Sequence, residues 1–395
     1  MSDKKITTFP RAVRVLPDPL ALYLRPGHND HRAIEHHIAS GGTNFSGAIF
    51  DPSRLKHHHD LYELILKHNL DAILDPKTIQ SATIGGHTEK LAQLPWEKER
   101  PHNIEDFSGV SGRRIINALA EFVIQHGFTQ IIAPTHIINN PDSPWFNLDI
   151  KNTQILRNQL DKIGGAKVQI IYKLTISKKS YENTEERLRI VNALYGLPIS
   201  SLWLTIDNFG RNSTATAARN YVDAAHDFHS LNVPIVADYV GGVIGLFLLS
   251  FGAVGGIAHG VTLHERFSAN SISRPRKPGN FGRTRSIYIP TIDSMLHPEQ
   301  ARLLINRSTR TKAYFSCNDS SCCPRGFRDT VQYPAHHFLY QRMKEITKLS
   351  RIPETIRPQS FLDNHLRDTT DKALHAANIG TMKSLKRNCR KIEND

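Results

Sequence analysis

Residues 234–260 read PIVADYVGGVIGLFLLSFGAVGGIAHG, and this stretch decides the fold class. Its central part, residues 240–258, is long and apolar enough to suggest a membrane span. However, it contains six glycines and lacks basic flanks. It also lies inside a pattern in which strands and helices alternate along the chain. We therefore interpret it as part of a parallel α/β sheet and not as a membrane span.

Apolar runs rich in Ile, Val, Leu and aromatic residues, each ending in a polar or Gly-rich turn, recur through the chain. The runs are residues 21–26, 47–52, 71–78, 130–137, 168–176, 201–207, 234–242, 252–260, 286–290 and 312–319. Such runs, without alternation, are typical of parallel strands buried on both faces. Helical patterns lie between many of them. The sequence therefore predicts an α/β fold, a (β/α)8 TIM-like barrel, with a C-terminal Cys/His zinc element and a helical tail.

The sequence offers ten candidate strands, whereas the barrel has eight strand positions. Two assignments of strands to the barrel, called registers, are therefore open. One starts at residue 21 and closes at residues 286–290, whereas the other starts at residue 71 and closes at residues 312–319. We favour the second, because its strands are more evenly spaced up to the cysteines. It assigns residues 1–70 to an added layer or first barrel unit, residues 71–316 to the barrel, and residues 317–395 to the zinc element and a helical basic tail.

The positive charge of the chain lies in its last third. The 395 residues carry 50 Lys and Arg against 37 Asp and Glu, a net charge of +13. There are 27 basic and 26 acidic residues up to Ala269, 11 and 4 from Asn270 to Thr330, and 12 and 7 beyond. A basic third on a neutral body favours an acidic partner, nucleic acid first, over a merely solvated surface.

One basic segment stands out within that third. Residues 273–285 read SRPRKPGNFGRTR, a Pro- and Gly-containing loop with one aromatic ring. Contact with a nucleic-acid backbone fits this composition, and a phosphate-bearing small substrate fits nearly as well. The candidate nucleic-acid-binding residues are Arg274, Arg276, Lys277, Arg283 and Arg285.

Polar residues at the predicted strand ends form the candidate active site, because barrel enzymes carry their site at the C-terminal ends of the strands. Asp75, Asp207 and Asp238 are candidate catalytic carboxylates, although each alternatively caps the following helix. The candidate substrate-binding residues are Lys77, His136, Gly241, Gly242, Gly255, Gly256 and His259. The glycine pairs let the backbone approach a ligand, or alternatively allow close helix–strand packing.

Three of the four cysteines lie within seven residues of one another, in the frame C-x4-C-C-x12-H. Cys317, Cys322, Cys323 and His336, with His337 as an alternative, would make a closed tetrahedral zinc site. A redox thiol and coincidence are the other interpretations. The run of histidines at positions 57–59 is interpreted as surface, because tandem histidines cannot all face one ion.

The number of cysteines and the N-terminal sequence indicate the cellular compartment of the protein. Four cysteines are too few for a disulfide framework, and residues 1–9 are polar, with no secretory signal visible. We therefore expect a cytoplasmic protein without a membrane association, and an oligomer is possible.

The order of features in the last third resembles the tRNA-guanine transglycosylase superfamily. The resemblance rests on the GAVGGIAHG segment, on clustered cysteines after a final strand, and on a His before an LYQRM-containing helix, over residues 252–343. It implies that a Gly-Gly segment binds a base, that a Cys3His zinc site stabilises a subdomain contacting nucleic acid, and that an Asp attacks the sugar. The family's zinc frame, CxCxxC, differs from the frame here, and its Asp-Ser-Gly-Gly-Phe segment is not found. Asp319 is the residue nearest to the family's nucleophile position.

Three hypotheses follow. The first is an enzyme that performs base exchange or other glycosidic chemistry on a (deaza)guanine-type base of tRNA or DNA, with an Asp nucleophile. The second is a barrel enzyme for a phosphorylated or carboxylated small metabolite, with Lys77 and the Gly-Gly turns around the anion. The third is a nucleic-acid-binding barrel without catalytic activity.

Overall fold

The structure is a computed structural model that describes residues 20–86, 89–273 and 286–378. The strands within these ranges are β1 (Ala21–Arg25), β2 (Gly47–Phe50), β3 (Asp71–Leu74), β4 (Gln130–Ile132), β5 (Ile137–Ile138), β6 (Gln169–Ile176), β7 (Ser201–Ile206), β8 (Ile235–Asp238), β9 (Gly256–Gly260), β10 (Ile287–Ile289) and β11 (Ser294–Leu296). The helices are α1 (His31–Ala39), α2 (His59–Lys67), α3 (Thr78–Ala82), α4 (Glu89–Ala92), α5 (Gly109–His126), α6 (Pro144–Lys162), α7 (Lys178–Glu182), α8 (Thr184–Leu194), α9 (Ala215–Phe228), α10 (Gly242–Ser250), α11 (Ala269–Ile272), α12 (Pro298–Ile305), α13 (Thr309–Phe315), α14 (Phe327–Gln332), α15 (Pro334–Ser350), α16 (Arg357–Phe361) and α17 (Arg367–Asn378).

Parallel strands close into a barrel of eight positions. The order β1-β2-β3-β4-β6-β7-β8-β9 runs around the sheet, and β9 pairs with β1 from Ala21↔Gly256 to Arg25↔Gly260. The short β5 continues the position of β4 beside the end of β6. The fold is therefore the α/β barrel that the sequence predicts.

Side chains from every barrel position fill the interior. They are Ala21, Tyr23, Ile49, Ile73, Ile132, Ile171, Trp203, Val236 and Ala258, all buried in one cluster. The rings of Tyr23 and Trp203 meet with centroids 5.1 Å apart, although β1 and β7 are not neighbours in the sheet. This contact across the axis shows that the interior is packed, so a ligand can enter only at an end.

The eighth helix of the barrel is α15, and it does not follow the eighth strand directly. It packs against α1 and α10, which flank the seam between β9 and β1. Its apolar residues, including Phe338 and Met343, belong to the main core. Residues 261–333, the connection between β9 and α15, are called the inserted unit below. They include α11, the β10–β11 hairpin, α12 to α14 and three of the four cysteines. The described part of this connection has a small core of its own, which it shares with α17.

The favoured strand register is wrong. The barrel starts at β1 and closes at β9, so the first eight of the ten apolar runs form it and residues 1–70 contribute two barrel strands. The expected limits at 70/71 and 316/317 otherwise remain predictions.

The two remaining runs have local explanations. Residues 286–290 contain β10, half of an antiparallel hairpin. Residues 312–319 overlap the helix α13, which starts at a capping box between Ser308 and Thr311. A capped start favours a helix over a strand here.

The long connection after β3 is folded onto the barrel. Trp96 and Phe107, from residues 75–108, are buried in the main core, and the Trp96 indole N–H donates to the Pro76 carbonyl at 3.2 Å. The segment therefore has fixed anchors at the end of the barrel where the strands terminate.

Among the helices of the described ranges, none has the combined length and hydropathy that crossing a bilayer requires. The apolar α10, inside the stretch that looks like a span, has only nine residues.

Candidate active site and metal centre

The C-terminal end of the barrel, called the mouth below, contains a chain of buried ion pairs centred on Arg25. Its guanidinium donates to Asp75 Oδ2 at 2.8 Å and to both oxygens of Asp238 at 2.8–3.1 Å. Arg25 ends β1, Asp75 follows β3 and Asp238 ends β8. The closed barrel thus brings together two of the predicted carboxylates, on a cation that the sequence interpretation did not include.

Asp238 is held from every side. Besides the Arg25 contacts, its carboxylate accepts from the Thr205 hydroxyl at 3.1 Å and from the Tyr239 backbone N–H at 3.1 Å. The ammonium of Lys173 lies 3.4 Å from Oδ2. The Asp238 side chain is 0% exposed, whereas that of Asp75 keeps 8%. Asp75 is therefore the carboxylate of this pair that an incoming molecule can touch.

Lys77 extends the chain of ion pairs to the rim. Its Nζ lies 3.8 Å from Asp75 and 3.9 Å from Asp51, and its backbone N–H donates to Asp75 Oδ1 at 3.0 Å. Arg54 lies 3.8 Å from Asp51. Each of these cations therefore has a carboxylate partner within 4 Å.

The environment keeps Asp75 ionised. Burial by itself would raise the pKa of its carboxyl group, but the charges of Lys77, Lys173 and Arg25 outweigh burial. The pKa therefore lies well below its ordinary value, and the group is a carboxylate at neutral pH. For Arg25, burial opposes the charged form, yet Asp238 and other neighbours raise its pKa further above the ordinary value.

Tyr239 supplies an aromatic surface beside these charges. Its backbone φ of 60° places the residue in the left-handed region, which costs energy for a non-glycine residue. Its ring lies 4.6 Å from the Arg25 guanidinium carbon and 5.2 Å from Lys173 Nζ. The exposed His264 faces the same ring at 6.4 Å between centroids. A strained, half-buried ring next to buried carboxylates is typical of a ligand-binding surface.

Asp207 and Asp319 lie outside this cluster. The Asp207 carboxylate accepts the backbone N–H of Ala269 at 2.8 Å and the amide of Asn208 at 2.9 Å, which fixes the loop after β9. Asp319 lies in the cysteine loop, where it accepts the Ser321 N–H at 3.0 Å and pairs with Lys344.

The two glycine pairs lie at opposite ends of the barrel. Gly256 is the first residue of β9, and Gly255 pairs with the start of β1, so this pair lies away from the mouth. Gly241 and Gly242 do lie at the mouth end, before α10. The N–H of Gly242 already donates to Glu265 at 3.0 Å, so a carboxylate of the protein occupies this anion position.

Both predicted histidines point away from the barrel axis. His259 is buried, its Nδ1 lies 2.8 Å from the Gly260 carbonyl, and its ring packs against Phe338 of α15. His136 donates its backbone N–H to Asp149 and places Nδ1 2.7 Å from the same carboxylate. Its ring stacks on Trp145 at 3.7 Å.

A second buried charge network fastens the β9–α15 connection to the barrel. Arg211 donates to Glu265 at 2.6 Å, and Arg342 of α15 donates to Asp293 at 3.0 Å and to Glu345 at 2.8 Å. Asp293 also accepts the N–H of the second residue of α10 at 2.5 Å. The network therefore joins the mouth loops, the β10–β11 turn and α15.

The cysteine cluster converges on one point. Cys322 and Cys323 Sγ lie 3.6 Å apart, and each lies 3.4 Å from His337 Nδ1. With Cys317, all four ligand atoms lie within 4.8 Å of one another. Tetrahedral ligands at zinc–sulfur lengths of about 2.3 Å are separated by roughly 3.8 Å, so the spacing suits a metal ion. These four residues can hold one.

His337, and not His336, completes this set. His337 Nε2 lies 3.0 Å from the Tyr288 carbonyl, which fixes a proton on that nitrogen and leaves Nδ1 free to face the cysteines. His336 packs instead against His36 and Tyr340. Successive residues of a helix point about 100° apart, so only one of the two histidines can face the cluster.

The five basic residues singled out in residues 273–285, Arg274, Arg276, Lys277, Arg283 and Arg285, lie outside the described residues. Within the described part of the same connection, a surface cavity of about 530 Å³ is lined by residues that include His297, Arg302 and Gln332. A neighbouring cavity of about 390 Å³ shares Arg302 and adds Arg328. These cavities lie on the inserted unit.

Sequence reasoning missed Arg25 and Tyr239. Arg25 was detectable as a charged residue ending the run ALYLR, but the favoured register excluded that run from the barrel. Tyr239 carried no signal, because its role depends on a positive φ that the residue type does not suggest.

No protein-family model matches the sequence, and no curated protein matches it. Solved structures with a similar fold include a GH10 xylanase from Bispora sp. MEY-1, with 11% identity, a TM-score of 0.40 and coverage of 60% of this chain and 82% of the xylanase. They also include thiamine phosphate pyrophosphorylase from Pyrococcus furiosus, with 11% identity, a TM-score of 0.31 and coverage of 65% and 94%. KGPDC from Streptococcus mutans has 12% identity, a TM-score of 0.34 and coverage of 65% and 95%. Several of these proteins are enzymes, but likenesses this low identify no activity for this chain.

Proposed function

We propose that this protein is a barrel enzyme that exchanges or cleaves the glycosidic bond of a base in nucleic acid, with Asp75 as the nucleophile. The observation that carries the proposal is the contrast between the two carboxylates that Arg25 binds, Asp75 and Asp238. Asp75 is ionised and reachable, whereas Asp238 is fully enclosed. Asp238 is accordingly a positioning residue that holds Arg25 and Lys173.

The pairing of every mouth cation with a carboxylate supports an uncharged ring as the group bound there. A phosphate site usually offers cations or N–H groups without other partners. Here each mouth cation already has a carboxylate partner, and the Gly242 N–H is taken by Glu265. A base instead needs hydrogen-bonding edges and a flat surface, which the carboxylates and Tyr239 supply.

The reaction takes two steps, in which Asp75 first attacks the sugar and is then displaced from it. An oxygen of Asp75 bonds to the sugar carbon while the bond from that carbon to the base nitrogen breaks. The nitrogen keeps the electron pair and takes up a proton from water, so the base leaves neutral. An incoming base, or water, then bonds to the same sugar carbon and loses a proton to solvent, while the bond from that carbon to Asp75 breaks and releases the carboxylate.

The inserted unit is proposed to contact the nucleic-acid backbone. Arg302 and Arg328 are exposed and line neighbouring cavities, and the basic segment 273–285 belongs to the same connection. Phosphate contacts of this kind give affinity that falls with salt. The ion proposed for the cysteine cluster is structural zinc, because four protein ligands close the site.

Exchange of radiolabelled guanine into tRNA and into duplex DNA tests the proposal. We expect the wild-type protein to incorporate label, and Asp75→Asn to reduce the rate by about 100-fold or more. Asp142→Asn, which removes an exposed carboxylate paired with Arg189, is the matched control and keeps the wild-type rate. Nucleic-acid affinity should be the same for all three proteins.

Two results would overturn the proposal. Incorporation by Asp75→Asn at the wild-type rate would remove Asp75 from the reaction. Salt-dependent binding by the wild type without any base exchange or release would instead support a barrel that binds nucleic acid without catalysis.

A further inference from the structure

Two loops at the mouth end of the barrel bring three histidines together. His31 starts α1 after β1, and His57 and His58 precede α2 after β2. One nitrogen from each ring lies within 4.8 Å of the other two. The ring centroids are 4.7 Å apart for His31 and His57, and 4.8 Å apart for His31 and His58.

Three ring nitrogens of the two buried histidines, His31 and His58, have no hydrogen-bond partner in the protein. His58 is 0% exposed, and neither of its nitrogens has a hydrogen-bond partner. His31 is also buried, with an unpaired Nδ1. A buried polar atom without a partner is uncommon because it loses its hydrogen bonds to water, so two neighbouring residues of this kind point to a ligand that both could bind.

His57 is oriented as a metal-binding histidine would be. Its Nε2 lies 2.9 Å from the His28 carbonyl, which places the proton on Nε2 and leaves the Nδ1 lone pair available. The His28 ring stacks on it at 4.7 Å. A carbonyl behind one ring nitrogen is the usual support for a metal ligand. By contrast, His59 lies on the surface near Glu63, so two of the three tandem histidines, not all three, face the cluster.

We propose that His31, His57 and His58 bind a divalent transition-metal ion, Zn²⁺ first, through three imidazoles with one position open. Imidazole suits Zn²⁺ and its first-row neighbours, and three protein ligands with an exchangeable fourth are typical of catalytic and not of structural zinc. His57 is exposed, so the open side reaches solvent.

Binding requires a modest contraction of the cluster. Nitrogens around a tetrahedral ion at about 2.0–2.1 Å are roughly 3.3 Å apart, which is closer than the spacing of up to 4.8 Å here. The exposed ring of His57 has room to move inward. The two buried rings are already adjacent, so they need little rearrangement.

Zinc content and the chemical identity of its ligands test this site on the full chain. After dialysis against Zn²⁺, we expect about two ions per wild-type protein, and X-ray absorption should show sulfur and nitrogen in comparable amounts. His57→Gln and His58→Gln should each weaken binding of the second ion by at least about tenfold and leave sulfur-rich zinc. The matched control, His59→Gln in the same run, should keep both ions.

The exposed position of His57 keeps the test decisive even if the His58 variant unfolds. The proposal would be overturned if all zinc bound by the wild-type protein had mainly sulfur ligands. So would a second ion that His57→Gln binds as tightly as the wild type, because that ion must then lie elsewhere. Neither readout depends on catalytic activity.

Discussion

The cysteine cluster and the histidine cluster use the same residue type in opposite ways. His337 joins three sulfurs to make a set of four, and a carbonyl of the neighbouring hairpin fixes its ring. His57 joins two other imidazoles to make a set of three, and its own ring is exposed. Four enclosed ligands leave an ion no free position, whereas three leave one. Closure of the ligand set, and not histidine itself, therefore separates a structural site from an exchangeable one.

The two clusters also differ in what they hold together. The cysteine cluster links residues 317–323 to α15, and α15 is fastened to the mouth loops through Arg342. The histidine cluster links two loops of the barrel itself. Loss of the first should therefore loosen the inserted unit, whereas loss of the second should leave the fold intact.

Replacement of His337 should have the largest effect on stability. His337→Ala removes one of four ligands and the contact to the Tyr288 carbonyl, so we expect the midpoint of thermal unfolding to fall by roughly 10 °C or more. Calorimetry and the sulfur-bound zinc content check this together. An unchanged midpoint with full sulfur-bound zinc would show that His337 is not a ligand of the ion.

The second buried charge network, which includes Arg342 and Glu345, should have a smaller effect on stability, and this effect should depend on pH. Burial raises the pKa of the Glu345 carboxyl from an ordinary 4.5 to about 7, against the opposing charge of Arg342. The folded state therefore holds a proton that the unfolded state releases, and stability is lost as pH rises through about 7. This group should lower the free energy of unfolding by up to about 3 kcal/mol between pH 5 and pH 8.

Glu345→Gln should remove this dependence of stability on pH, because the amide has the shape of the carboxyl group but does not titrate. Unfolding midpoints of wild type and variant, measured from pH 5 to pH 8, should lie closest at the low end, with the wild type falling more steeply up to about pH 7 and the two curves running parallel above it. Curves that stay parallel over the whole range would show that Glu345 is ionised throughout.

The smallest effect on stability is expected for His336, the residue that precedes His337. His336→Gln removes ring contacts with His36 and Tyr340 but no metal ligand, so stability should change by about 1 kcal/mol or less. Sulfur-bound zinc should be unchanged. A loss of zinc in this variant would return His336 to the ligand set and contradict the assignment of His337.

The sequence sufficed to predict the barrel and to identify Asp75, Asp238 and Lys77 at its mouth, because both depend on local patterns. Continuous apolar runs mark buried parallel strands, and a carboxylate at the end of such a run, as at Asp75 and Asp238, is visible without a structure. The cysteine spacing likewise predicts a cluster.

What the sequence could not supply depends on contacts between distant residues. The register failed because residues 286–290 and 312–319 have strand-like composition but lie in a hairpin and a capped helix. The choice between His336 and His337 depends on the rotation of α15. The tandem histidines are interpreted as surface from sequence because three in a row cannot all face one ion, yet two of them meet His31, which lies on another helix.

The separation of the eighth strand from the eighth helix has a consequence for biosynthesis. On the ribosome, all eight strands are complete once Gly260 has been made, yet about ninety further residues must follow before α15 can cover the seam between α1 and α10. During that interval the nascent barrel exposes an apolar strip along one side. The barrel is thus completed only when α15, which follows the inserted unit, has been made. A chain truncated within the inserted unit should be bound by chaperones, although all eight of its barrel strands are present.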